Sequence, residues 1–184
     1  MNRKYLLSVA LVPPFVLLVP LAAMLLRVEG WAWSASDFIV AWMLMTGIGL
    51  AYVLVTRNAS TTAYRVAAGI ALGTAFLLIW VNGAVGLIGS ENNPANLMYG
   101  GVLVIGAVGA AMARFAALGM ARTLFAAAFV QFAVPVVSLM LRPGDFSPGV
   151  IPVFALNFLF VLLFIGSALL FRHAAHTQAE NSRG

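Results

Sequence analysis

Cysteine is absent from this chain of 184 residues, which excludes disulfides, a thiol redox pair, palmitoylation and a lipidated N-terminal Cys. Charge is also scarce, at 8% Asp, Glu, Lys and Arg, against about 25% in an average soluble domain. No ionisable residue falls deep in a long apolar run, so the intramembrane Asp, Glu or His used in proton-coupled transport is missing. His173 and His176, the two histidines, lie beyond the last run, so facing haem ligands inside a bundle are missing as well. Within the runs, the side chains able to bond strongly reduce to Asn82, Gln131 and Asn157.

What is present is apolar: 63% of the chain. About 20 apolar residues at 1.5 Å rise cross a hydrocarbon core of roughly 30 Å. The sequence holds six such stretches, at 5–26, 38–56, 66–89, 94–113, 123–141 and 148–171. The expected fold is therefore an all-α integral membrane protein, six transmembrane helices in a compact bundle over 1–172, followed by a short, polar, mobile tail over 173–184. These spans leave no room for a soluble catalytic domain or a nucleotide-binding cassette.

The net charge of +5 would suggest nucleic acid in a soluble protein, but here position matters more. Arg3, Lys4, Arg57, Arg65, Arg114, Arg122, Arg172 and Arg183 all fall on one side of a six-span chain. Arg27 and Arg142 fall on the other, with Glu29, Asp37, Glu91 and Asp145. Lys and Arg in short loops set orientation, so both termini are expected in the cytoplasm, and nucleic acid is not an expected partner. Trp31, Trp33 and Tyr99 then lie at the outer interface, where amphipathic rings prefer to sit. The short loops suggest a bacterial inner membrane.

The first span follows Met-Asn-Arg-Lys, as in a signal peptide, but it is longer than a 7–15-residue signal core and ends without a small-x-small site, so it reads as uncleaved. Pro13, Pro14 and Pro20 remove backbone donors within it and predict a kink. Pro135, four residues after Gln131, frees the Gln131 carbonyl and marks a candidate hinge. Asn93-Pro94 and Ser147-Pro148 each read as a capping residue followed by proline at the first helical position. Asn93-Pro94-Ala95 resembles the tripeptide of water channels, but the second outward loop carries no copy, and the cap-and-proline helix start accounts for the residues.

A shift of 57 residues superposes Arg57 on Arg114, Arg65 on Arg122, Ile48 on Ile105 and Gly49 on Gly106. This is a weak parallel hairpin repeat of spans 2–3 and 4–5, of the kind found in transporters. Few other positions agree, and Arg recurs wherever a helix leaves the cytoplasmic face. Small residues at Gly69, Ala71, Gly73, Gly106, Ala110 and 126–128 predict close helix packing. Phe154, Phe158, Phe160 and Phe164 make the last span bulky on more than one side and suggest a peripheral helix facing lipid or a partner subunit, lipid being the more frequent case.

Asn82, Gln131 and Asn157 form the candidate intramembrane polar cluster, read first as interhelical glue and otherwise as the lining of a solute path with Pro135 as hinge. Arg57, Arg65, Arg114 and Arg122 are candidate anionic-lipid contacts at headgroup depth. His173 and His176 share a helical face, yet two ligands make a weak metal site, and their positive charge suits a helix C-terminus. No nucleophile and base can be paired, so no catalytic residue, cofactor or metal is expected. Asn58-Ala59-Ser60 matches a glycosylation sequon, but in an inward loop. Two functions fit: a non-catalytic accessory or scaffolding subunit that contacts membrane lipids and packs on partners or on itself, or a small transporter or channel for a neutral or lipidic solute. An aqueous cavity reaching the three amides would favour the second, and a filled interior with apolar outer grooves the first.

Overall fold

The computed structural model describes residues 3–181, with side chains from Ala10 onward and Val9. Its six α-helices are α1 (Arg3–Leu25), α2 (Ala35–Thr56), α3 (Thr62–Ala84), α4 (Met98–Met112), α5 (Ala117–Leu141) and α6 (Val150–Asn181). Five helical segments are long and apolar enough to cross a membrane: α2, α3, α5, α6, and the segment Pro94–Met112, in which a 3-10 turn leads into α4. The apolar stretch of α1 over Val9–Leu25 is shorter. The protein is thus an all-helical, multi-pass membrane protein.

The chain divides into two compact units, 1–57 and 58–184. In the first, α1 and α2 form a hairpin. A Cβ on Gly49 would lie 3.0 Å from Val9 Cγ1, so glycine lets the two backbones approach. All three prolines of α1 lie inside one continuous helix. Helix α2 opens with a reciprocal capping box: the Ser34 hydroxyl accepts from the Asp37 N–H and the Asp37 carboxylate accepts from the Ser34 N–H. Before it, Trp33 meets Trp31 at 6.0 Å and Phe38 edge-on at 5.2 Å.

In the second unit the last helix in sequence is one of the two inner ones in space. Helix α6 packs against both α3 and α5, and α4 packs on the far side of α5. This corrects the peripheral placement expected from its phenylalanines. Phe160 and Phe164 are buried, Phe154 is half-buried and only Phe158 of the four is exposed, because a helix held on two sides needs two apolar faces.

On α3, Ala67, Ala68 and Ala71 are buried and let α6 come close. The Ser167 hydroxyl on α6 donates to the Ala67 carbonyl at 2.7 Å, and Phe171 meets the Tyr64 ring edge-on at 4.8 Å. The small residues singled out in the sequence serve only in part: no side chain approaches Gly73 or Gly106, whereas at Gly109 an added Cβ would lie 2.5 Å from Thr123 Cγ2 of α5. Gly109 is where α4 and α5 touch.

The two turns proposed as repeat partners are built differently. Arg57 is right-handed and Thr61 caps α3, whereas Arg114 and Phe115 both adopt positive φ and α5 starts without a side-chain cap. Nothing in their geometry supports the repeat. Nor does α6 stop at the end of the apolar span. It runs to Asn181, with Ala174 buried and the Gln178 amide donating to the Ser60 hydroxyl at 2.9 Å. At 1.5 Å per residue its length is about 48 Å, longer than a hydrocarbon core requires, and the helix includes residues 173–181 of the segment read from the sequence as a polar tail.

Candidate functional site

Three helices of the second unit meet at one buried polar knot. Asn157 of α6 holds its carbonyl oxygen towards two donors: the Tyr99 hydroxyl of α4 at 2.7 Å and the Gln131 amide of α5 at 2.9 Å. Its own amide donates to the Val153 carbonyl one turn earlier at 2.8 Å, which fixes which way the side chain points. Tyr99, Gln131 and Asn157 are all at most 2% exposed. An oxygen with two lone pairs thereby ties α4 and α5 to α6.

Two of the three amides expected to cluster do so, and the third does not. Asn82, near the end of α3, donates to the Asn96 carbonyl at 3.1 Å. Tyr99 takes the third place. Its sequence position next to the α4 start suggested an interfacial ring, but the side chain turns into the bundle and buries its hydroxyl against Asn157. A phenol six residues past the Asn93 cap is compatible with either orientation; only the neighbouring helix decides.

The loop joining α3 to α4 is closed by Asn96, another residue that sequence reasoning passed over. Its carbonyl oxygen accepts from the Ile88 N–H at 3.0 Å, and its amide donates to the carbonyls of Ile88 at 3.3 Å and Ser90 at 2.7 Å. One buried amide therefore satisfies three backbone groups of a segment without regular structure. Gly86, at φ +74°, makes the fold possible, since a Cβ there would stand 2.4 Å from the Ser90 carbonyl carbon. Asn93 caps as expected: its side chain accepts from the Ala95 N–H at 3.0 Å, with Pro94 at the first position. Ser147-Pro148 does not repeat the arrangement, for α6 begins only at Val150, after Gly149 at φ +148°.

Two cavities flank this region. A polar cleft of about 440 Å³ lies between the loops, lined among others by Asn92, Asn93, Arg142, Asp145 and Ser147. The Arg142 guanidinium stands 3.9 Å from the Asp145 carboxylate there. An apolar groove of about 530 Å³ lies on α5 and α6, lined by Phe132, Pro135, Leu139, Ile151, Phe154 and Phe158, with Asn157 as its one polar side chain. Pro135, expected as a hinge, forms part of this wall inside a helix that runs unbroken from Ala117 to Leu141.

The arginines take exposed positions. The Tyr64 hydroxyl donates to the Phe115 carbonyl at 2.6 Å, which ties the start of α3 to the α4–α5 turn and brings Arg65 and Arg114 to the same end of the unit. Arg122 is exposed one turn into α5, and Arg57 ends α2 in the other unit. Arg65 also donates to the Ala59 carbonyl at 3.3 Å. His173 and His176 are exposed on the projecting end of α6, and among the described residues no three His, Cys, Asp or Glu stand close enough to hold a metal.

Comparison with protein-family models, curated proteins and solved structures gives no match.

Proposed function

We propose that this chain is a non-catalytic accessory or scaffolding subunit of a bacterial inner membrane. In this reading it crosses the bilayer six times with both termini in the cytoplasm, and it packs against partner membrane proteins or copies of itself. The observation that carries the reading is the Tyr99–Asn157–Gln131 knot. The strongest hydrogen-bonding side chains in the second unit's interior are used to hold helices to one another, where a path for a polar solute needs them free along its length.

Ser167 on Ala67 and Asn82 on Asn96 serve in the same way. Large apolar side chains such as Phe129, Phe132, Met140 and Ile151 remain on the surface of α5 and α6, in keeping with contact to lipid or another helix. Purification from native membrane in polymer-bounded discs, with the mass of the particle measured, tests the proposal. A complex of stoichiometric composition, or an integral number of 19.5 kDa chains above one, is expected. A single chain in every preparation would overturn it.

A further inference from the structure

The polar cleft and the apolar groove of the second unit adjoin at the α5–α6 connection. Leu139 lines the groove and Arg142 the cleft, about 4.5 Å further along α5 at 1.5 Å per residue. On the returning chain Ser147 lines the cleft and Val150 the groove, and the Phe146 ring beside Ser147 stacks on Phe154 of the groove wall at 6.2 Å. The cleft lies where α3 and α5 end and where α6 and the segment from Pro94 begin, which is headgroup level for helices that cross a membrane. It carries one charge of each sign. The Arg142 guanidinium and the Asp145 carboxylate stand 3.9 Å apart, too far for a hydrogen bond, and an ion pair so open to solvent is worth little. Both groups thus keep their bonding capacity. The walls between which they stand are held close, since a Cβ on Gly89, at φ +74°, would lie 2.7 Å from the Asp145 carbonyl oxygen.

We infer that the cleft holds the headgroup of one phosphatidylethanolamine molecule, with an acyl chain along the groove. The guanidinium of Arg142 meets the phosphate, which it can grip with two parallel N–H bonds. The primary ammonium offers three N–H donors, and the cleft answers with the Asp145 carboxylate and the side-chain oxygens of Asn92 and Ser147. The Asn92 amide nitrogen already donates to Glu91, which leaves its oxygen as the acceptor. Charge and donors together select the class. Phosphatidylglycerol has no cation and would set its net negative charge beside Asp145. Phosphatidylcholine has both charges but no N–H to give. Below the cleft, Leu139, Val150, Ile151 and Phe154 present only hydrocarbon, which suits methylenes. The inference rests on these helices crossing a membrane and not on what the protein packs against elsewhere.

The test uses the full chain in phosphatidylcholine vesicles, each doped with a trace of one of three probe lipids that share a diazirine-bearing acyl chain and differ in headgroup: ethanolamine, choline or glycerol. The ethanolamine probe is expected to label the peptide around Ile151 and Phe154 about fivefold more than either other probe, the factor that corresponds to about 1 kcal/mol for one charged contact at a membrane surface. Asp145→Asn should bring the ethanolamine probe down to the level of the choline probe, and Asp145→Glu should keep the preference. Arg142→Gln should lower labelling by the ethanolamine and choline probes alike. Arg142 is exposed and Asp145 half-buried, so all three variants are expected to unfold at the wild-type temperature. Excess soluble phosphoethanolamine should leave the labelling unchanged; displacement by it would assign the cleft to the free headgroup and overturn the lipid as occupant. Equal labelling by the three probes in the wild type would overturn the inference, as would an ethanolamine preference that persists in Asp145→Asn.

Discussion

Replacing Asn157 by Leu tests whether the buried knot holds α4, α5 and α6 together. The substitution removes one carbonyl oxygen and with it two interhelical bonds, from Tyr99 at 2.7 Å and from Gln131 at 2.9 Å. Side-chain hydrogen bonds between membrane helices average about 0.6 kcal/mol and reach about 1.7. Two of them give an expected loss of roughly 1–3 kcal/mol, the greater part if the Tyr99 hydroxyl finds no other acceptor. Tyr99→Phe alone should cost about 0.6–1.7 kcal/mol. Made on the Asn157→Leu background, Tyr99→Phe should cost nearly nothing, because its acceptor has already gone. The double-mutant cycle, followed by reversible unfolding in mixed micelles, is therefore expected to show a coupling of about 0.6–1.7 kcal/mol. Strict additivity of the two changes would refute the claim that the bond is a structural tie.

Gly86→Ala should destabilise by about 2 kcal/mol or more, since the residue sits at φ +74° with a carbonyl carbon 2.4 Å from the new methyl, whereas Gly100→Ala, with open space around it, should be neutral or slightly stabilising in the same thermal assay. A reporter active only in the cytoplasm should work when fused after Arg183 and be silent after Glu91; activity at Glu91 would overturn the arrangement of six spans with both ends inside. Changing Arg57, Arg65, Arg114 and Arg122 together to Gln should lower retention of phosphatidylglycerol or cardiolipin in native mass spectrometry, each arginine near an anionic leaflet being worth about 1 kcal/mol. Equal retention with topology intact would restrict those arginines to a role in insertion.

The helices were legible in the sequence because a hydrocarbon core imposes a length and an apolar composition on whatever crosses it. The Asn93-Pro94 start was legible for a local reason, as a cap is satisfied within its own turn. What could not be read was which helices are neighbours. Hydropathy is nearly the same on every side of α6, so its phenylalanines could not say that two faces are covered by α3 and α5. For the same reason, the candidate cluster gained Tyr99 and lost Asn82. Both are polar groups near helix ends, and the direction each takes depends on a partner outside its own helix. Ser34 and Asp37, by contrast, spell their capping box in four residues and could have been found.

The absence of cysteine makes the central claim, a dry interior tied together by its own polar side chains, directly measurable. Ser138, 1% exposed on α5 one turn beyond Val134, can be replaced by Cys with little change of volume, and Ser147→Cys in the adjoining loop supplies an exposed control. Each variant is treated in sealed vesicles of either orientation with a membrane-impermeant maleimide. The account predicts rapid modification at 147 from one side and none at 138 from either. Modification at 138 at a rate near that of the control would put water among the helices and contradict it.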